Sequence, residues 1–240
     1  MNQPLKGLEI ILAGGSGGLG SASARLLAAE GARVIVSYCS NAQRAAALSG
    51  IATVVQADIT KSEDRGKLLD RAPDLYGLAV FTGDPSRVKD PAALEAAMRR
   101  AQEVNSTGPI LLAREAAARM RAAGRPGAIV LFSTMQAVSL FTGSTSYAAA
   151  KASLQHAALI LAKEMRGNPP VRVNVIAPGV TAAGMAEASI ASGKYDHFLT
   201  SGVVSRFGSA ADIARAVRFF LEPDNYITGQ VLSVDGGASL

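Results

Sequence analysis

The chain of 240 residues has no tryptophan, one cysteine and two histidines. A lone Cys39 can close no internal disulfide, so a reducing compartment is expected. His156 and His197 have no cysteine or carboxylate neighbours at ligand spacing, and the sequence points to no metal site. Aromatic residues make up only 5%, and the basic residues are scattered rather than run together. That combination argues against a nucleic-acid partner, which needs basic patches interleaved with stacking platforms. No apolar run is long enough to span a membrane. Met1 to Gly7 shows neither the basic start nor the apolar centre of an export signal, so the expected location is cytoplasmic.

What is present is a globular composition, 49% hydrophobic and 18% charged. The length is enough to bury a sizeable core. Lys and Arg outnumber Asp and Glu by 24 to 19, a net charge of +5 that suits a small anionic ligand. There are no internal repeats, low-complexity tracts or linkers, and residues 1–240 read as one domain.

Short apolar runs alternate with helical patterns. Leu8–Ala13, Arg33–Tyr38, Ile51–Gln56, Gly77–Phe81, Ala128–Ser133, Val171–Ala177 and Gln230–Val234 read as strands. Helical patterns occupy Gly18–Glu30, Asn41–Leu48, Pro91–Val104, Gly108–Ala122, Thr145–Met165 and Ala210–Leu221, with a further helix beginning near Ser62. The alternation predicts an α/β fold, a doubly wound sheet of about seven parallel strands with helices on both faces. Residues 182–205 lack a strong period, hold several Gly and Ser, and read as a mobile lid.

Gly14-Gly15-Ser16-Gly17-Gly18-Leu19-Gly20 closes the first strand and opens the first helix. In that context glycines let the backbone turn tightly and let a pyrophosphate approach the helix N-terminus. The second strand ends in Ser37-Tyr38-Cys39-Ser40-Asn41, without the carboxylate that would hold a ribose and repel a 2′-phosphate. Ser40, Asn41 and Arg44 are candidate donors to that phosphate, which favours NADP(H) over NAD(H); the alternative is a neutral strand end with no preference. Asp58, after the third strand, either accepts from the adenine or caps the helix near Ser62. Asn105 lies inside a long helical pattern, where Asn is locally unfavourable. It marks either a kink with a purpose or an exposed surface position.

Tyr147 and Lys151 stand four residues apart with only alanines between them, one turn apart on one helix face. A cation beside a phenol lowers its pKa, and a phenol so tuned can donate a proton. Met135, Gln136, Phe141 and Met185 either line a mainly apolar substrate pocket or are ordinary packing residues.

Taken together these residues resemble the short-chain dehydrogenase/reductase family over the whole chain. The matching features are the Gly14, Gly18, Gly20 spacing, Val104-Asn105-Ser106-Thr107-Gly108, Tyr147 with Lys151, Pro178-Gly179, and the ending Ile227-Thr228-Gly229-Gln230 through Asp235-Gly236-Gly237. The pattern is nearest the 3-oxoacyl-acyl-carrier-protein reductase-like ketoreductases. The resemblance implies hydride transfer between NADP(H) and a carbonyl or secondary alcohol of a small molecule, in a homotetramer or homodimer. It adds Ile59, Gly83, Val180 and Thr181 to the cofactor contacts, with Tyr147 and Lys151 touching the cofactor as well. It makes Tyr147 the acid, Lys151 its tuning cation, and Asn105 the holder of a water in a proton relay. The family's catalytic serine falls thirteen positions before the tyrosine, where this chain has Thr134; the adjacent Ser133 is the alternative. Three further departures stand out. Ala13 replaces the threonine that opens the glycine motif, Val80-Phe81-Thr82-Gly83 replaces an Asn-Asn-Ala-Gly, and Thr181 is displaced by two places. Ala13, Val80-Phe81 and Thr134 keep open a second function, a weakly catalytic NADP(H)-binding sensor or subunit.

Overall fold

The structure, a computed structural model, describes residues 3–88 and 90–240. Seven strands form one all-parallel sheet: β1 (Glu9–Ala13), β2 (Arg33–Tyr38), β3 (Ala52–Gln56), β4 (Leu75–Val80), β5 (Gly127–Phe132), β6 (Val171–Pro178) and β7 (Val231–Val234). Their order is β3-β2-β1-β4-β5-β6-β7. The chain winds outward one way from β1 and the other way from β4, so a crevice opens above the carboxyl ends of these two strands.

The reason for the strand pattern is burial on both faces. All five residues of β1 and all six of β4 and β5 are buried, which is why they read as unbroken apolar runs and not as alternating ones. Alternation survives in where the side chains go. Ile11 joins Leu78, Leu131 and Val173 in one half of the core, while Ile10 and Leu12 join Val34, Val36 and Val130 in the other.

The first half is covered by α3 (Ser62–Leu69), α5 (Gly108–Ala122) and α6 (Thr145–Glu164), through Leu68, Leu112, Leu154 and Leu161. The second is covered by α1 (Gly18–Ala29) and α9 (Ala210–Leu221), through Leu27, Val217 and Phe220. A capping box sets the start of α9. Ser209 accepts from the Asp212 N–H, and the Asp212 carboxylate accepts from the Ser209 N–H.

Between β2 and β3 lies the short α2 (Ala42–Ala46), which the Asn41 side chain caps. The helical pattern after β4 is interrupted, as the position of Asn105 predicts. A 3₁₀ turn (Pro91–Ala93) leads into α4 (Leu94–Gln102), and a π-helical turn (Glu103–Thr107) joins it to α5. Residues 182–205, without a strong period in the sequence, hold a 3₁₀ turn (Gly184–Ala186) and two short helices, α7 (Glu187–Ala191) and α8 (His197–Thr200). Tyr195, Phe198 and Val204 from this segment pack with Met135 in a small separate core. No helix among the described residues is long and apolar enough to cross a membrane.

Candidate active site

A cleft of about 820 Å³ opens over the carboxyl ends of β1, β4, β5 and β6. One wall is the glycine loop. Gly14 turns the chain at φ +69, a region open to glycine. Its N–H donates to Ser37 Oγ on β2 at 3.1 Å, so β2 supplies the hydroxyl that Ala13 cannot. Gly17 begins α1 without a side-chain cap, which leaves the first N–H groups of the helix available to an anion. A Cβ on Gly20 would lie 2.5 Å from Gly15 Cα, and one on Gly18 would lie 2.7 Å from Gly184 N. The cradle therefore exists only with glycine at both positions. Gly20→Ala is expected to destabilise the protein by about 1–3 kcal/mol, because backbone and not a flexible side chain must move. It should also weaken dinucleotide binding. Thermal unfolding and an NADPH fluorescence titration check the two effects; a variant unchanged in both would contradict the fit.

At the outer end of the cleft stand Ser40, Asn41, Arg44, Asp58 and Ile59. Arg44 is exposed and forms no ion pair among the described residues. Asn41 Oδ1 accepts from the Arg44 N–H at 2.9 Å, so that oxygen is committed to the α2 cap. Asp58 does not cap α3, whose N-cap residue is Lys61. Instead its Oδ1 accepts from the Thr60 N–H and hydroxyl, and these bonds hold the carboxyl below its ordinary pKa. The opposite wall contains Pro178, Gly179, Val180 and Thr181. A Cβ on Gly179 would lie 2.6 Å from Asp235 Cβ, which accounts for glycine there beside the Asp235-Gly236 turn. The Thr181 hydroxyl donates to Gly179 O at 3.1 Å and is turned inward.

The floor carries the chemistry. Lys151 is 2% exposed, and its Nζ donates to Phe132 O at 2.8 Å and Thr82 O at 3.1 Å. One ammonium thus ties the end of β5 to the loop after β4. Burial pulls its pKa down to about 7. Tyr147, half-buried one turn before, is pushed up to about 12 by burial, with a hydrogen bond from Thr134 and the charge of Arg87 acting the other way. This corrects the expectation that Lys151 brings the phenol towards neutrality. The lysine is turned down to two carbonyls, and desolvation of the ring outweighs the cations around it.

The choice between Ser133 and Thr134 follows from the alternation at the strand end. The Ser133 hydroxyl donates to Lys151 O and to Gln155 Oε1, at 3.3 and 3.1 Å, and is spent on α6. Thr134 is extended, accepts from the Gln136 N–H at 3.3 Å, and its hydroxyl acts to lower the pKa of the Tyr147 phenol. The serine hydroxyl is therefore engaged with α6, which leaves the threonine as the hydroxyl for the cleft.

Asn105 is fully buried in the π turn. Its Oδ1 accepts from the Asp84 N–H and its Nδ2 donates to Asp84 O, both at 2.9 Å. This pins the loop whose Thr82 carbonyl receives Lys151, a positioning task beside the water-holding one that the resemblance implies. Gly83 lies under Met185, whose Cε is 3.3 Å from where a Cβ would stand. Met135, Gln136 and Phe141 close the same end.

Sequence reasoning passed over Thr82, Asp84, Arg87, Arg100 and Glu103, all of which line the cleft. The available signal was position alone, since the loop after β4 sits at the point where the strand order reverses. Thr82 Oγ1 is the one buried side-chain polar atom without a partner among the described residues. An unsatisfied hydroxyl beside a glycine cradle fits a polar ligand that is held there, and the residues present suit a dinucleotide.

Comparison with known proteins agrees with this fold. Residues 13–239 match the family model described as enoyl-(acyl carrier protein) reductase. The chain is 31% identical over 261 residues to the NADPH-dependent aldehyde reductase 2, chloroplastic, of Arabidopsis thaliana, covering 98% of this chain and 95% of that protein. It is 32% identical over 234 residues to a 3-oxoacyl-[acyl-carrier-protein] reductase of Rattus norvegicus, covering 95% and 96%. A solved structure titled short chain dehydrogenase/reductase family protein superposes with a TM-score of 0.84 at 32% identity, covering 100% of this chain and 99% of that one.

Proposed function

The chain belongs to the short-chain dehydrogenase/reductase family of oxidoreductases, and on that premise we propose that it reduces ketones or 3-oxoacyl compounds with NADPH. The carrying observation is Thr134, Tyr147 and Lys151 together on the floor of a cleft whose wall is the glycine cradle. Gly14, Ser16, Gly17, Gly18, Leu19 and Gly20 would receive the pyrophosphate, and Pro178 to Thr181 the nicotinamide end. Bound NADPH supplies the hydride. Thr134 donates a hydrogen bond to the substrate carbonyl oxygen. Tyr147, protonated throughout the neutral range, gives that oxygen its proton as negative charge develops on it. Lys151 fixes the floor by holding β5 to the β4 loop, and Asn105 fixes that loop. Residues 182–205 act as the lid that keeps water from the reacting atoms. Homo-oligomer contacts are assigned to α5, α6 and β7, where Leu111, Ile160 and Leu232 remain exposed.

A paired NADPH and NADH assay over ketones, β-ketoesters, acyl thioesters, quinones and sugars tests this reading. Turnover is expected with NADPH preferred; tight NADPH binding with no turnover on any carbonyl would instead identify a binding protein. Cofactor choice is assigned to Arg44 on α2, the helix that follows β2, whose guanidinium forms no ion pair among the described residues. Arg44→Ala should raise the KM for NADPH about tenfold or more, the loss of a charge-assisted contact, and leave the KM for NADH where it is. Equal changes for both cofactors would contradict the assignment.

A further inference from the structure

The substrate end of the cleft is not purely apolar. Arg87 lines it, together with Tyr147, Met135, Phe141 and Tyr195. The guanidinium is exposed, yet it is anchored: its Nη2 donates to the Tyr195 hydroxyl at 3.3 Å, and Tyr195 is only 8% exposed. Tyr195 is itself packed into the small core with Met135 and Phe198. Arg87 leaves the β4 loop and Tyr195 belongs to the 182–205 segment, so the pair spans the mouth beside the phenol.

Arg87 differs from Arg100 and Lys151, the other cations at this end of the cleft; Arg44, also without an ion pair among the described residues, stands at the far end beside the glycine loop. Arg100 is paired with Asp84, whose carboxylate also accepts from Ser86. Lys151 is spent on two carbonyls. Arg87 forms no ion pair among the described residues. One of its five N–H donors is used by Tyr195, which leaves a fork for a planar anion. Its charge reaches the Tyr147 phenol, where it favours the ionised form. A cation anchored beside the phenol, paired with no carboxylate among the described residues, is a site for an acid of the substrate. Anchoring on Tyr195 places it at the Met135 end and not at the glycine loop, so the anion it meets belongs to the substrate and not to the dinucleotide.

We propose that Arg87 binds a substrate carboxylate, and that the carbonyl compounds reduced here are oxo acids whose carboxylate lies a few bonds from the ketone. The assignment rests on the reductase reading for the word substrate, but the anion site itself does not. Tyr195 is the positioning residue that holds the guanidinium.

The test compares acetoacetate with methyl acetoacetate, and levulinate with methyl levulinate, in the wild type, Arg87→Gln, Arg87→Lys and Tyr195→Phe. The quantity read is the ratio of kcat/KM for acid over ester. The wild type should favour at least one acid over its ester by tenfold or more. Arg87→Gln should lower that ratio about a hundredfold, the cost of a lost bidentate charged contact. Arg87→Lys should fall between the two, since it keeps the charge and loses the fork. Tyr195→Phe should lower the ratio by about threefold to tenfold without abolishing it. Calorimetric titration of the acids in the presence of NADP⁺ gives a readout independent of turnover. If ketones are reduced but the ratio is the same in wild type and Arg87→Gln, the carboxylate site is overturned and the reductase stands. If nothing is reduced but acid binding is lost in Arg87→Gln, the anion site stands and the reductase reading falls. Weakened NADPH binding in Arg87→Gln, with the acid-to-ester ratio unmoved, would reassign the residue to the cofactor and overturn the proposal.

Discussion

Tyr147→Phe is expected to lower kcat for ketone reduction about 10²–10⁴-fold, the usual worth of a positioned general acid. NADPH binding should change little. The substitution keeps the ring, so the packing that raises the phenol pKa is retained and only the hydroxyl is lost. Because the proton is given to an oxygen that becomes basic only as hydride arrives, the loss should fall on kcat and leave KM nearly untouched. A single-turnover measurement with saturating NADPH separates this from a binding defect. The pH dependence is set by the same group. With the Tyr147 pKa near 12, the acid form is present throughout neutral pH, so reduction should not wait on its titration. Alcohol oxidation needs the phenolate, and its rate should climb as pH rises through the alkaline range. Thr134→Val gives the companion result. It removes the hydroxyl that meets Tyr147 but conserves shape, and should cost kcat without unfolding the protein. A Tyr147→Phe protein with full ketone reduction would remove the chemistry assigned to the site.

How much of this site was legible in the sequence depends on how local each interaction is. The Tyr147 and Lys151 spacing is a property of one helix, and the strand, glycine loop and helix are consecutive, so both could be read directly. The central strands β1, β4 and β5 announce themselves because burial on both faces leaves no polar face to blur the runs. Asn105 betrayed itself by being a poor helix residue in a helical pattern, and a π turn is the reason it is tolerated. Its partner, however, is the backbone of Asp84, which no spacing rule connects to it. The same holds for Ser37 bonding Gly14 across β2, a compensation for Ala13 that exists only once β1 and β2 pair. The two carbonyls that Lys151 holds could not be read, because they come from two different strand ends. Arg87 was missed because an arginine in a loop looks like a solvated charge until Tyr195 is seen beside it.

Lys151→Met carries the second large effect, and it is visible in stability as well as in turnover. Lys151 satisfies Phe132 O and Thr82 O, and methionine matches its length without a donor. The buried Phe132 carbonyl left unpaired costs about 1–3 kcal/mol and the half-buried Thr82 carbonyl less, partly offset because a buried amine no longer has to be desolvated. Reduction should fall by at least about a hundredfold, since the ends of β4 and β5 that shape the floor lose their tie. The decisive measurement is urea unfolding of the free protein at pH 7 and at pH 10. In the folded chain burial lowers the Lys151 pKa to about 7, against an ordinary value of 10.5. Between those values the unfolded lysine binds a proton that the folded one has released, so stability rises with pH through this window. Below pH 7 both states carry the proton, and this contribution is gone. The wild type should therefore gain stability relative to Lys151→Met on going from pH 7 to pH 10, whatever the other groups contribute to both proteins. Parallel stability profiles for the two proteins would mean that the amine is not held in a desolvated site, and the clamp between β4 and β5 would have to be abandoned with it.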